Sequence, residues 1–134
     1  MNFDVDKLVD MAIKGRSFAY APYSKFKVGA CALTKDGKYF YGCNVENASY
    51  PNGNCAERTA LFKMYSEGYT KDDVVAFAIV GQSERPISPC GMCRQVMSEL
   101  LNPETPIIMS TLDKQYKTST MKELLPYSFS GDDL

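Results

Sequence analysis

The chain predicts a three-layer α/β/α fold built on a mixed sheet, and three features of its hydrophobic pattern carry that prediction. Residues 4 to 20 repeat apolar side chains at helical spacing. Val74 to Val80 is an unbroken apolar run of strand character, as in a strand covered on both faces. A helical pattern and a second short strand follow, which predicts a right-handed parallel crossover. At 134 residues the chain holds one domain and one core, residues 1–134.

The elements follow in order. In residues 4–20, Val5, Leu8, Val9 and Ala12 share one face of a helix, with Lys7, Asp10, Lys14 and Arg16 opposite. Pro22 marks the loop beyond. Residues 26–33 read as a strand of small apolar groups, and Tyr39 to Cys43 as its hairpin partner. Asp36-Gly37 between them suggests a two-residue turn with positive φ at both positions. Asn44 to Asn54 holds Pro51, Gly53 and four asparagines, so it is a loop. A helix runs from Cys55 or Ala56 to about Glu67, with Ala60, Leu61 and Met64 inward and Gly68 as its stop. After the Val74–Val80 strand and a loop at Pro86–Pro89, a helix spans Gly91 to Leu101. Ile107 to Met109 is a short strand. Thr120-Met121-Lys122-Glu123 matches a capping box that opens a short terminal helix ending at Pro126.

Composition narrows the function classes. Fifteen basic residues against sixteen acidic give a net charge of −1, and the basic residues form no block, which argues against nucleic acid or an anionic membrane as partner. No apolar stretch is long enough to cross a bilayer. The start, Met1-Asn2-Phe3-Asp4-Val5-Asp6, lacks the basic and apolar regions of a signal peptide, so a cytoplasmic location is expected. The five cysteines are an odd number for a disulfide framework. Metal binding or buried thiols fit better. The chain has no histidine, so any zinc site must use thiolates and carboxylates.

The segments that carry chemistry are Cys55-Ala56-Glu57 and Pro89-Cys90-Gly91-Met92-Cys93. Cys90 and Cys93 are three apart at a helix start and share a face, and Cys55 begins another helix. If the two N-termini converge, three thiolates meet. Three protein ligands with an open fourth position describe a catalytic zinc, whereas structural zinc normally takes four. Cys31 and Cys43 lie in strands among apolar neighbours, where a buried free thiol is the expectation. Three thiolates and one Zn²⁺ sum to −1, which makes the ion a poorer acid, yet hydrolysis wants a bound water with a pKa near about 7. The helix N-termini, each about +0.5 of a charge, would offset this. So would hydrogen bonds to the sulfurs from Arg58 and from Gln95. Glu57, two residues past Cys55, could reach a water at the metal without ligating it and act as general acid and base.

Cys-Ala-Glu followed by Pro-Cys-x-x-Cys is the zinc deaminase signature in its three-cysteine variant. More narrowly, the chain resembles the small homotetrameric zinc-dependent cytidine deaminases, from Tyr20-Ala21-Pro22-Tyr23-Ser24 to about Leu134. Gly42-Cys43-Asn44-Val45-Glu46-Asn47-Ala48, Cys55-Ala56-Glu57-Arg58-Thr59-Ala60 and Ser88-Pro89-Cys90-Gly91-Met92-Cys93-Arg94-Gln95 all match. Glu123-Leu124-Leu125-Pro126 followed by Phe129 matches too. The resemblance implies a five-stranded sheet of the cytidine deaminase kind and one zinc ion per subunit on Cys55, Cys90 and Cys93, with Glu57 as proton shuttle. Asn44 and Glu46 would bind the ribose, Phe26 would pack on the pyrimidine, and the main chain at Ala56 would read the base edge. Tyr50 and Phe129 would enter a neighbouring subunit's site. The implied activity is hydrolysis of cytidine and deoxycytidine to uridine and deoxyuridine with release of ammonia, in pyrimidine salvage.

Other readings stay open on residues alone. A cysteine pair is often structural or redox-active, and a glutamate at a helix start is often only solvated. A related deaminase acting on a nucleoside antibiotic or a polynucleotide is weakened by the Asn44–Glu46 pattern and by the near-neutral charge. A non-catalytic zinc or redox module would leave Glu57 without a role.

Overall fold

The computed structural model describes residues 2–134. Helix α1 (Val5–Arg16) leads into the hairpin of β1 (Val28–Thr34) and β2 (Tyr39–Cys43), then α2 (Ala56–Ser66) and β3 (Val74–Gly81). Helix α3 (Gly91–Leu100), strands β4 (Pro106–Ser110) and β5 (Tyr116–Thr120), and the short α4 (Met121–Leu124) complete the fold. The five strands run in the order β2-β1-β3-β4-β5. β1 is antiparallel to β2 and β3, β3 is parallel to β4, and β4 is antiparallel to β5. Among the described residues, no helix is long and apolar enough to cross a membrane.

The sheet is covered on both faces, as its central strand predicts. On one side α1 alone buries Leu8, Val9 and Ala12 against Cys31, Leu33, Ala76, Ala78, Val80 and Ile108. On the other, Ala60, Leu61 and Met64 of α2 and Cys93 and Met97 of α3 pack on Ala30, Phe40, Phe77, Ile79 and Ile107. Alternate residues of β3 point to alternate layers, so Val74–Gly81 is apolar throughout.

Three expectations need correction. The first helix ends at Arg16, not near residue 20. Beyond it the chain leaves the helix to pair with the segment after β2: Tyr20 N donates to Asn44 O and Glu46 N to Tyr20 O. The hairpin turn has positive φ at Gly37 but not at Asp36. Thr34 and Lys38 bracket a three-residue loop, Gly37 N donating to Thr34 O and Thr34 N to Lys38 O; only the last loop position needs the left-handed region. Finally, the hydrophobic pattern contains no trace of β5. Its residues, Tyr116-Lys117-Thr118-Ser119-Thr120, are polar and mostly exposed, and they form a strand by pairing with β4 at the sheet edge. The five-stranded sheet implied by the resemblance is the observed one. Of the expected capping box only half forms: the Thr120 hydroxyl accepts from Glu123 N and opens α4, while the Glu123 carboxylate accepts from that hydroxyl rather than from Thr120 N.

Candidate metal centre and catalytic cleft

Both α2 and α3 begin with a cysteine as the residue that starts the helix. Cys55 and Cys90 each sit in extended backbone just before the first turn, and neither side chain caps its own helix. Their sulfurs are therefore free to point elsewhere. The two N-termini converge against the same side of the sheet. Cys93, one turn into α3 and buried, joins them, and the sulfurs of Cys55, Cys90 and Cys93 all lie within 4.8 Å of one another. A tetrahedral zinc ion with Zn–S bonds of about 2.3 Å holds its sulfurs about 3.8 Å apart, so the trio closes on such an ion with small side-chain movements. No other cluster of this kind occurs among the described residues. Cys31 lies in the α1 layer across the sheet, and Cys43 does not join the trio. The set offers three ligands, one fewer than a structural zinc site normally takes.

The metal-free thiols differ sharply from one another. Cys55 is held well below the usual thiol range, first by a hydrogen bond from the Cys93 thiol and then by Arg58. Cys93 is pushed up by giving that bond and by burial. Arg58 Nη2 stands 3.5 Å from Cys55 Sγ, so the predicted hydrogen bond to a sulfur is present. Arg58 Nε is buried with no partner, further positive character beside a centre that carries excess negative charge. Gln95 does not share this role. Its Nε2 donates to Phe129 O at 3.0 Å, tying the C-terminal segment to α3 rather than softening a cysteine.

Glu57 lies in the first turn of α2 and is only 3% exposed. Burial pushes its carboxyl up to about 7, and the neighbouring Cys55 adds to the rise. It opens onto a cleft of about 650 Å³ that Cys55, Ala56 and Cys90 also line. Phe26 and Asn44 form part of another wall, and Val28, Ile79, Ile87 and Met109 supply apolar surface. The sequence reading missed these aliphatic residues, because a side chain at a strand end looks the same in sequence whether it faces a core or a cleft. It also missed Arg85 and Lys117, which bring positive charge to the cleft from a loop and from the strand β5 that no pattern announced.

The remaining site residues are divided. Asn44 Oδ1 accepts from Val28 N at 2.9 Å and Nδ2 donates to Phe26 O at 2.8 Å, so its amide sets where Phe26 stands. Glu46 accepts from the backbone of Tyr23 and Ser24 and from the Ser24 hydroxyl, bonds that hold its carboxyl below the usual range, the Ser24 hydroxyl foremost. With Tyr50, Glu46 lines a neighbouring pocket of about 410 Å³, which shares Asn44 and Cys55 with the main cleft. Tyr50 is 76% exposed and Phe129 58%, and Phe129 borders neither space.

Comparison with known proteins places this geometry. The family model for the cytidine and deoxycytidylate deaminase zinc-binding region matches residues 4–109. A cytidine deaminase of Halalkalibacterium halodurans is 50% identical over 131 residues, 98% of each chain. One from Sporosarcina psychrophila is 47% identical over 98% of this chain and 95% of its own length. The crystal structure of cytidine deaminase from Burkholderia pseudomallei superposes with a TM-score of 0.91 at 47% identity, covering 95% of this chain and all of that one. A family model that spans most of the chain, with relatives aligned over nearly all of it, shows that the chain belongs to the family of cytidine and deoxycytidylate deaminases that carry this zinc-binding region.

Proposed function

We propose that this chain hydrolyses the exocyclic amine of cytidine and deoxycytidine, giving uridine and deoxyuridine and releasing ammonia. One observation carries the reading beyond family membership: a buried glutamate, matched to neutral pH, shares a nucleoside-sized cleft with a three-thiol zinc site that leaves one coordination position open. Cys55, Cys90 and Cys93 would hold the zinc, which when bound makes a water acidic enough to attack near pH 7.

The chain's own residues supply the rest. A carboxyl near about 7 can take a proton and return it without a large cost in either direction. Glu57 would take one proton from the attacking water and deliver it to the ring nitrogen, then take the remaining proton from that same oxygen and pass it to the departing amine, leaving the ring carbonyl and ammonia. Arg58, through Cys55, draws negative charge off the sulfur. Phe26 offers a ring face to the pyrimidine and the Ala56 main chain a polar edge. Asn44 bridges the cleft and the Glu46 pocket, so a ribose at that junction would meet both side chains. The exposure of Tyr50 and Phe129 supports their completing the site of another subunit in a homotetramer. A single catalytic domain acting in the cytoplasm on free nucleosides, in pyrimidine salvage and without nucleic acid as partner, fits the near-neutral charge.

The test is direct. Zinc-loaded protein mixed separately with cytidine and deoxycytidine should convert both, followed by ultraviolet absorbance. Failure on both substrates sinks the nucleoside assignment. The mass of the native assembly decides the tetramer: a monomer active at high dilution would exclude shared sites.

A further inference from the structure

Helix α2, which carries Cys55 at its start and Glu57 in its first turn, rests on β2 at a contact that only glycine allows. A Cβ at Gly42 would lie 2.5 Å from Ala60 N, 2.9 Å from Ala56 O and 3.0 Å from Ala60 Cα. All three are backbone atoms. The nitrogen and the oxygen belong to one helical hydrogen bond, since each N–H bonds the carbonyl four residues back. No rotamer change can make room for a methyl group there. Gly42 is not among the residues with positive φ, so the position demands space rather than conformational freedom.

Nor can the strand withdraw. Behind it stands α1, where a Cβ at Gly15 would lie 2.8 Å from Gly42 O and 3.0 Å from Tyr41 Cβ. One strand residue is clamped between two helices, each approaching through a glycine. Two residues further along lies Asn44, and the sulfurs of Cys90 and Cys93 lie within 4.8 Å of that of Cys55 at the start of α2. Restoring an ordinary contact of 3.4 Å at Gly42 requires α2 to lift by about 1 Å.

We propose that Gly42 is a positioning residue for the zinc site. Its missing side chain sets how deeply α2 seats on the sheet, and so where Cys55 and Glu57 stand relative to the two cysteines of α3. This rests on the deaminase reading above. Metal sites tolerate deviations of about 0.2 Å in ligand distance, and a misplacement of about 1 Å can cost about 10²-fold in rate, so a shift of this size exceeds both margins.

The experiment compares Gly42→Ala, Gly15→Ala and Gly37→Ala with wild type. Zinc affinity is read by competition with a chromophoric chelator, stability by thermal melting, and kcat and KM on cytidine. Gly37 has φ of 87° and open space around it, and its turn meets Tyr69 beyond the C-terminal end of α2, so its alanine variant destabilises through backbone strain away from the helix start that carries Cys55 and Glu57 and should leave zinc affinity and kcat unchanged. Gly42→Ala should weaken zinc binding by about 10–100-fold and lower kcat by about 10²-fold, with KM moving less than kcat. Gly15→Ala pushes the same strand from behind and should weaken zinc binding by a smaller factor; it decides the matter if Gly42→Ala does not fold. The proposal is overturned if the folded Gly42→Ala protein binds zinc and turns over like wild type. It is equally overturned if Gly37→Ala loses zinc to the same extent, because the effect would then be general stability. A wild type that takes up no zinc and converts no cytidine overturns the deaminase reading itself, a result distinguishable from both.

Discussion

The two layers that cover the sheet handle cysteine in opposite ways. Cys31 points into the α1 layer, fully buried among aliphatic neighbours, and burial pushes its thiol up to about 12. Cys55 lies in the other layer, at the start of α2, beside two more thiols and the Arg58 guanidinium, and is held low. Both are cysteines in the same small fold. What separates them is depth of burial and whether hydrogen-bond donors face the sulfur. The strand interior around Cys31 offers no donor to the sulfur, and the charge of Lys63 is too weak to offset burial. A helix N-terminus offers unsatisfied N–H groups and about half a positive charge. Both layers exclude water, but only the α2/α3 layer also gathers thiols and a guanidinium, at the starts of its helices.

That contrast can be broken by mutation, and the largest effect is expected in the charged layer. Cys93→Ala should abolish stoichiometric zinc, measured by elemental analysis, and reduce activity to background. Retention of a full equivalent of zinc would mean that the trio is not the binding site. Glu57→Gln keeps the shape of the side chain and removes its proton transfer, so kcat should fall by about 10²–10⁴-fold with zinc content unchanged. A variant that kept near wild-type turnover would return Glu57 to a structural role.

Smaller effects sharpen the comparison. Arg58→Ala removes the hydrogen bond to Cys55 and should weaken zinc by about 10–100-fold in a chelator titration, while Gln95→Ala should leave that titration unmoved, because its amide serves Phe129 O. Equal losses in the two variants would show that Arg58 does not act through the sulfur. In the apolar layer, Cys31→Ala should cost only about 1 kcal/mol of stability and no zinc. Alkylation of native protein gives the same contrast without mutation. Cys31 should stay unmodified at pH 8, well below a pKa of about 12, where its thiol remains protonated, whereas exposed Cys90 should react once zinc is chelated. Mass mapping of the modified cysteines reads the order directly, and early labelling of Cys31 would contradict its burial.

The parts of this protein that sequence reading reached share a property. The continuous apolar run of β3, the 3.6-residue spacing in α1 and the Thr120 side-chain cap of α4 are local patterns, each enforced by a nearby backbone geometry. β5 escaped because an edge strand needs only a partner for its hydrogen bonds, and its exposed side chains obey no burial alternation. The early end of α1 escaped for a related reason. Pairing of Tyr20 with Asn44 and Glu46 links residues more than twenty apart, and nothing in residues 17–20 alone announces it. At the site, the ligands and Glu57 were legible because their spacing is a local requirement of a helix start. Gln95 was misplaced because one side of a helix can face two targets, and only packing chose the carbonyl of Phe129.

The sequence alone therefore named the residues on which the proposed chemistry rests: three cysteines, one glutamate two residues past the first of them, an arginine beside it, and no histidine to compete. It also determined that each of the two ligand segments begins a helix. Only the tertiary structure brought Cys55 within 4.8 Å of Cys90 and Cys93, divided Glu46 and Glu57 between adjoining pockets, and seated α2 on Gly42. The physical reason is the range over which each is decided. Residue type and helix-start geometry act over a few bonds and can be read along the chain. Distances between thiols on two separate helices depend on how deep each helix packs against a shared sheet, and that depth is set by side chains distant in sequence.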